Sequence, residues 1–285
     1  MSAQSGGAQA GSAQQGSVQP GSGRGLGVRF RATAGSEWIK FRSLRSGPAS
    51  LLAAAVLVLV GAWLLTWGYR SDWGRMSAAD RTSFDPVYTS LRGIELAQLL
   101  VGALGVTTVT GEYTSGLVRG TFVATPQRVQ VLAVQAAVFT AVVWTWCTAL
   151  SFAALLLGQG LLTGPVPHVG LGDPGVLTAA FGGGLYLTLV GLFGLFTGLL
   201  VRRTPAALAV LFGILTVAPL IASMLPGRLG ANLAEFIPGS AGEQAWKLPH
   251  TGPYTLGPWQ GLGVLAACVA ATAAAGLVLL RRRDV

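Results

Sequence analysis

Arg92 and Glu95 are oppositely charged residues three positions apart at the start of a long apolar run. Glu95 is the only acidic residue within a predicted membrane span, and an ionisable side chain inside a membrane is commonly functional. At helical spacing, however, the two side chains can also form a structural ion pair. We favour the structural pair near the outer membrane boundary, and we retain a role at an outer gate as the alternative.

Residue patterns typical of catalysis are missing from the sequence. His168 and His250 fall in predicted outer loops, so neither can act as a base for a serine nucleophile at membrane depth. Cys147 and Cys268 lie in separate apolar runs without the spacing of a metal or redox pair. The sequence contains no metal-binding cluster of His, Asp or Glu and no GxxxxGK[ST] phosphate-binding loop. We therefore predict a protein that is not an enzyme and carries no metal or nucleotide of its own.

The composition is that of an integral membrane protein. Of the 285 residues, 52% are apolar and only 10% are charged. A soluble domain of this length could not bury so many apolar residues in its interior. The net charge of +9 would suggest nucleic acid in a soluble protein. Here the basic residues cluster at the ends of apolar runs, where they set topology and contact lipid headgroups. We predict contact with membrane lipid and no nucleic-acid partner.

Six apolar runs are long enough to cross a hydrocarbon core, which requires about 20 residues. We predict an all-α integral membrane protein with six transmembrane helices, at 49–69, 91–110, 129–157, 175–201, 205–225 and 259–280. The third is too long for a perpendicular crossing, so we expect it to tilt or to project into the cytoplasm. Residues 1–34 are rich in Gly, Ser, Ala and Gln and are predicted to be a disordered tail. The transmembrane domain is then 49–285.

The distribution of basic residues predicts that both termini are cytoplasmic. Six spans place the termini on the same side, and the segments on that side hold 13 of the 19 lysines and arginines. The opposite loops hold five, and Arg92 lies at their boundary. Because positive residues are retained in the cytoplasm, the side with the termini is the inner side.

Residues 35–48 combine apolar and basic side chains at helical spacing. Trp38, Phe41 and Leu44 recur every three residues with basic residues between them, which is typical of an amphipathic helix in the membrane interface. Such a helix would support a cytoplasmic docking surface. An equally weighted alternative is that the positive charges serve only to orient the first span in the membrane. The predicted interface-helix residues are Glu37, Trp38, Lys40, Phe41, Arg42 and Arg45.

A polar, basic segment from Gly111 to Arg128 separates the second and third apolar runs. It has no proline between Tyr113 and Thr125, and its apolar residues recur at near-helical spacing, which indicates a short amphipathic helix at the membrane surface. Pro126 suits the first turn of the next helix, because proline has no amide hydrogen to lose there. The segment is a candidate docking site for a soluble partner.

Three strings resemble ABC-2 type permeases, the membrane subunits of bacterial and particularly actinobacterial ABC transporters. GEYTSGLVRGTFVATPQR at 111–128 resembles the pattern that follows the second helix of that family. SEWIKFRSLRSGP at 36–48 resembles the lead-in to the first helix, and FIPGSAGEQAW at 236–246 resembles the stretch before the last helix. Gly239 and Glu243 depart from the last pattern.

The resemblance implies the ABC-2 permease fold and a multi-pass subunit of the plasma membrane that is energised by a separate ATP-binding subunit, on which ATP and magnesium are bound. It also implies a second permease copy or a paralogue as dimer partner, and export of a hydrophobic compound, lipid or peptide. The docking and coupling residues carried over are Gly111, Glu112, Tyr113, Ser115, Gly116, Arg119, Pro126 and Arg128. The alternatives are a secondary transporter or channel, or a non-transporting immunity or assembly factor.

Three further features predict packing. Gly194 and Gly198 match GxxxG, which we expect to serve close helix packing within the monomer rather than a dimer interface. Pro219 is predicted to kink the fifth span, because it removes a backbone hydrogen bond. The loop at 226–258 is predicted either to fold back as short helices that cap an exit or to lie as a wet connector with aromatic anchors. The resemblance favours the cap.

Overall fold

The computed structural model describes residues 46–114, 128–225, 228–248 and 256–282, which are helical and contain no β-strand. The α-helices are α1 (Ser46–Asp72), α2 (Ala78–Thr82), α3 (Pro86–Leu91), α4 (Ile94–Thr114), α5 (Arg128–Leu161), α6 (Val176–Val201), α7 (Thr204–Phe212), α8 (Ala218–Met224), α9 (Arg228–Phe236), α10 (Pro238–Glu243) and α11 (Pro258–Arg282). A π-helical turn, Gly213–Val217, joins α7 to α8, and a 3-10 turn, Gln244–Trp246, follows α10.

Six helical segments of the described chain are long and apolar enough to cross a membrane, as predicted. They are Gly47–Asp72, Ile94–Gly111, Val129–Leu161, Val176–Val201, Thr204–Met224 and Pro258–Leu280. The all-α architecture with six candidate membrane-spanning helices is therefore confirmed for the described residues, whereas the ABC-2 permease fold stays a prediction. The cytoplasmic location of the termini stays a prediction.

The second span begins three residues later than predicted, because Arg92 and Gly93 form a turn between α3 and α4. A Cβ on Gly93 would lie 2.6 Å from the carbonyl oxygen of Val58, so only glycine allows this turn to approach α1 so closely. Glu95 consequently lies in the first turn of the spanning helix. It is the second residue of the span and so lies at its edge.

Helix α6 lies at the centre of the bundle. Its spanning segment is 67% buried, compared with 22% for the fifth and sixth spans. It packs against α4 through glycines: a Cβ on Gly105 would overlap the carbonyl oxygen of Gly191, and one on Gly194 would overlap that of Gly102. A Cβ on Gly198 would also meet the α4 backbone, at 3.0 Å. These contacts confirm that Gly194 and Gly198 serve packing within the monomer.

The fifth span is interrupted just before Pro219. The amide of Ala218 bonds to the carbonyl oxygen of Gly213, five residues earlier, which is the π-helical pattern. Proline cannot donate the next α-helical hydrogen bond, so the wider turn precedes it. The predicted disturbance at Pro219 therefore takes the form of a π-helical turn.

The chain between the fifth and sixth spans folds back onto the bundle, which agrees with the capping alternative. Trp246 is fully buried, and its ring lies 4.5 Å from that of Tyr186 in an edge-on arrangement. A Cβ on Gly182 would overlap the carbonyl oxygen of Ala245, so this backbone lies directly against α6. We call residues 238–248 the capping segment. Trp246 is a core residue and not an anchor in the headgroups.

The capping segment lies at the end of the bundle opposite Ser46 and Arg282, which we call the distal face. Two hydrogen bonds join helix ends and connecting segments at this face. Arg70 donates to the carbonyl oxygen of Leu161 at 3.2 Å, and Gln159 donates to the carbonyl oxygen of Pro86 at 2.9 Å. Helix α5 has 34 residues and is about 50 Å long at 1.5 Å per residue. It is therefore longer than a perpendicular crossing of a hydrocarbon core of about 30 Å, and the predicted tilt or projection into the cytoplasm stays a prediction.

Candidate functional site

The predicted docking segment connects two spanning helices. Gly111, Glu112 and Tyr113 occupy the last turn of α4, and Arg128 is the first residue of α5. Ser115, Gly116, Arg119 and Pro126 lie outside the described residues, and so do the predicted tail 1–34 and the interface-helix residues Glu37, Trp38, Lys40, Phe41, Arg42 and Arg45. Their assigned roles stay predictions.

One hydrogen bond ties the end of α4 to the start of the fifth span, next to this segment. The hydroxyl of Thr204 donates to that of Thr110 at 2.8 Å. Thr204 is the first residue of α7, and Arg203 precedes it in an extended conformation. A movement of the C-terminal end of α4 would therefore be transmitted to α7 through this hydrogen bond.

A cluster of charged side chains surrounds the Tyr88 hydroxyl at the distal face. The phenol oxygen lies 2.7 Å from Oε1 of Glu95 and 2.8 Å from Oε1 of Glu243. Nζ of Lys247 lies 2.8 Å from the same Glu243 oxygen, and Nε of Arg92 lies 3.8 Å from the same Glu95 oxygen. We call these five residues the Tyr88 cluster. It joins two carboxylates, each with its own cation, through one phenol.

The predicted contact between Arg92 and Glu95 is observed, but it is loose. At 3.8 Å, with the side chains 45% and 33% exposed, the ion pair contributes little to stability. The shorter contact of Glu95 is with Tyr88. The proposed role of Arg92 and Glu95 at an outer gate stays a prediction.

Two cations flank the Tyr88 ring. Nζ of Lys247 lies 4.7 Å and Cζ of Arg92 lies 5.5 Å from the ring centroid, within the range of cation–π attraction. Burial raises the pKa of the Tyr88 phenol above its usual value, and the nearby Glu243 and Glu95 carboxylates raise it further. The phenol therefore stays protonated at neutral pH and acts as a hydrogen-bond donor.

Asp85 positions Tyr88. Its side chain accepts the backbone N–H groups of Val87 and Tyr88, each at 2.9 Å, and so caps the start of α3. Pro86 occupies the first turn of α3, where its preset φ suits a helix start. The second carboxylate oxygen accepts the N–H of Leu248 at 3.1 Å. Asp85 thus attaches the end of the capping segment to the helix that carries Tyr88.

Tyr88, Glu243 and Lys247 are not among the site residues predicted from the sequence. Glu243 and Lys247 are four residues apart, which is the spacing of a helical ion pair, and this signal could have drawn attention to them. Tyr88 gives no comparable local signal, because it meets Glu243 across 155 residues of chain. Its role becomes visible only when the capping segment is placed on the bundle.

A cavity of about 380 Å³ lies beside the Tyr88 cluster. Its walls include Tyr88, Lys247 and Asp80, and the exposure of Asp80 shows that the cavity reaches solvent. In the part of the chain that the structure describes, no group of three or more His, Cys, Asp or Glu side chains could hold a metal ion. The cluster therefore combines two carboxylates, a phenol and two cations beside a cavity that reaches solvent.

Comparison of this chain with known protein families, with curated proteins and with solved structures finds no match. The architecture itself defines the class: a helical, multi-pass membrane protein with a capping segment on its distal face.

Proposed function

We propose that this chain is the permease subunit of an ATP-driven transporter of the ABC-2 type. The observation that carries the proposal is the position of the string at 111–128. Helix α4 ends at Thr114 and α5 begins at Arg128, so the string that resembles the family's docking pattern connects two spanning helices. The sequence has no phosphate-binding loop of its own, and the energy would come from a separate ATP-binding subunit.

The coupling route follows from the contacts at the end of α4. Glu112 lies in the last turn of α4, within one turn of Thr110, whose hydroxyl is bonded to that of Thr204 on α7. An ATPase that displaces this end would therefore move α4 and the fifth span together. A charge contact that forms in only one of two packings can favour it by about 1 to 3 kcal/mol, the usual size of a coupling free energy.

The proposed assembly contains two permease subunits, identical or paralogous, and two ATP-binding subunits, in the plasma membrane. The proposed activity is export of a hydrophobic compound, a lipid or a peptide. The apolar surface of the spans supports a hydrophobic cargo: α1 alone exposes Trp63, Trp67, Leu52, Val56, Val60 and Leu64. The same surface is suited to lipid and to a second subunit.

The test is purification of the tagged full-length chain from its native membrane in mild detergent. We expect an ATP-binding protein encoded beside this chain to co-purify and to hydrolyse ATP. In reconstituted vesicles, Glu112→Gln should leave assembly intact, alter the basal ATPase rate and abolish most ATP-dependent movement of a fluorescent hydrophobic dye. Glu235→Gln, at the distal end, is the matched control and should transport normally. A purified chain without an ATPase partner or ATPase activity would contradict the proposal.

The second candidate function is a proton-coupled carrier, which the convergence of Glu95 and Glu243 on Tyr88 favours. Coupling sites of carriers lie near the membrane midplane, whereas Glu95 occupies the first turn of α4. The ATP-driven transporter therefore remains the better proposal. Vesicles that contain only this chain distinguish the two, because a proton-coupled carrier would dissipate an imposed pH gradient without an ATPase.

A further inference from the structure

The Tyr88 hydroxyl has one proton but lies beside two hydrogen-bond acceptors. A phenol carries one O–H, yet two carboxylate oxygens, of Glu95 and Glu243, lie 2.7 and 2.8 Å from its oxygen. If both carboxyls are ionised, only one of these contacts is a hydrogen bond, and the other brings two lone pairs together. Both contacts are hydrogen bonds when one carboxyl is protonated and donates to the phenol oxygen. We call the arrangement with both hydrogen bonds closed. It holds one proton more than the arrangement in which both carboxyls are ionised.

The neighbouring cations indicate which carboxyl carries that proton. Lys247 lies 2.8 Å from the Glu243 oxygen that is also 2.8 Å from the phenol oxygen, so this Glu243 oxygen is placed as the acceptor of the phenol proton. Arg92 lies a full ångström farther from Glu95, at 3.8 Å, and its side chain is half exposed. Glu95 is therefore the carboxyl that holds the additional proton and donates it to Tyr88.

We propose that Tyr88, Glu95 and Glu243 form a proton-operated latch between the capping segment and the start of the second span. The three residues belong to α3, α4 and α10, so the hydrogen bonds connect the cap to two elements of the bundle. When Glu95 loses its proton, one hydrogen bond is replaced by repulsion between oxygens and the latch opens. The proposal does not depend on which energy source drives transport.

The latch adjoins solvent on the distal side. Tyr88 and Lys247 belong both to the cluster and to the wall of the cavity, and Asp80 at its wall is exposed. The cavity is large enough for several water molecules. The Glu95 side chain is itself about one-third exposed, so on opening its proton passes to water at the distal face, and on closing it returns from there. The latch therefore responds to the pH on the distal side.

The other ionisable groups near the latch do not replace Glu95 as the proton carrier. The Asp85 carboxylate accepts three backbone N–H groups, from Val87, Tyr88 and Leu248, and makes no hydrogen bond to Tyr88 Oη among the described contacts. Tyr186 on α6 donates its hydroxyl proton to Gln98 and is fully occupied by that bond and by the Trp246 ring. Arg92 and Lys247 face the Tyr88 ring.

The sign of the pH effect follows from the proton count. Because the closed latch binds one proton that the open latch lacks, low pH favours closure and rising pH favours opening. One linked proton changes the ratio of closed to open by at most about tenfold per pH unit. The effect levels off below the ordinary glutamate value of about 4.3, where the open form is also protonated.

Hydrogen exchange of the full-length protein in lipid nanodiscs tests the latch. The readout is the protection of residues 238–248, corrected for the intrinsic effect of pH on exchange. In the wild type, we expect protection to fall as pH rises from about 5 to about 8, by up to about tenfold per unit. Glu95→Gln keeps a permanent donor towards Tyr88, so its protection should be high and independent of pH.

Two further variants complete the test. Tyr88→Phe keeps the ring between its two cations but removes both hydrogen bonds, so its protection should be low and independent of pH. Glu235→Gln changes a glutamate outside the cluster and should retain the wild-type pH response. A wild-type protection that does not change with pH, or a Glu95→Gln variant that keeps the wild-type response, would overturn the proposal.

Discussion

Asp85 and Leu248 are joined by a hydrogen bond across 163 residues, in which the carboxylate of Asp85 accepts the N–H of Leu248 at 3.1 Å. The same carboxylate caps α3 through the N–H groups of Val87 and Tyr88. One side chain thus caps α3 locally and also binds the distant capping segment. A pair of substitutions can separate them.

We expect Asp85→Asn to destabilise the protein by about 1 kcal/mol and Asp85→Ala by about 2 to 3 kcal/mol. Asparagine can still cap α3 with its carbonyl oxygen, but its amide group cannot accept the N–H of Leu248. Alanine loses both functions. The measurement is the thermal unfolding midpoint in detergent.

Asp72→Asn is the control for the charge change, because within the described residues the Asp72 side chain makes only an exposed 3.9 Å contact with Arg75. Its midpoint should be that of the wild type. Equal losses for Asp85→Asn and Asp85→Ala would show that the cap of α3 contributes nothing.

Gly194→Ala should destabilise the bundle by about 1 to 3 kcal/mol, the usual cost of overpacking. The added methyl group would overlap the backbone of Gly102 on α4, which cannot move aside as a flexible side chain can. Gly263→Ala is the matched control, because a Cβ at Gly263 in α11 meets nothing within 4 Å. This control should be neutral or slightly stabilising, since alanine favours helix. Equal midpoints for the two variants would contradict the close α4–α6 packing.

The sequence predicts the spans well because each depends only on a local run of apolar residues. The partners of Gly194 and Trp246 could not be predicted in the same way, since each meets residues of a different helix. The Arg92–Glu95 spacing predicted a real contact, but the nearer partner of Glu95 is Tyr88, which is held in place by Asp85. Local spacing identifies neighbours on one helix, whereas the Tyr88 cluster is produced by the return of the capping segment.

Single cysteines can determine the orientation of the bundle. In a chain without Cys147 and Cys268, we expect Gly172→Cys to react with a membrane-impermeant maleimide on intact cells, because it lies in an exposed loop on the distal face. Arg203→Cys lies in the exposed turn before α7, at the opposite face, and should react only after the cells are permeabilised. The reverse pattern would place the termini outside.

The predicted interface helix is tested by Trp38→Glu and Phe41→Glu. A charge on the apolar face would prevent the segment from lying in the membrane interface, so membrane insertion or assembly with the ATPase should fall. Deletion of residues 2–30 should be tolerated, because that tail has too few apolar residues to pack. Both outcomes are measured as the amount of chain in the membrane fraction and of co-purified partner. A harmful deletion together with harmless substitutions would refute the interface helix.

The π-helical turn at Gly213–Val217 makes the fifth span tolerant of a change in length. A π-helical turn holds one residue more than an α-helical turn, while Leu211 before it and Ala222 after it both face the bundle. Loss of one residue within the turn would restore continuous α-helix without rotating either half, whereas loss elsewhere would rotate all that follows by about 100°. In an alignment of related chains, a one-residue gap in this span would therefore be expected at this turn.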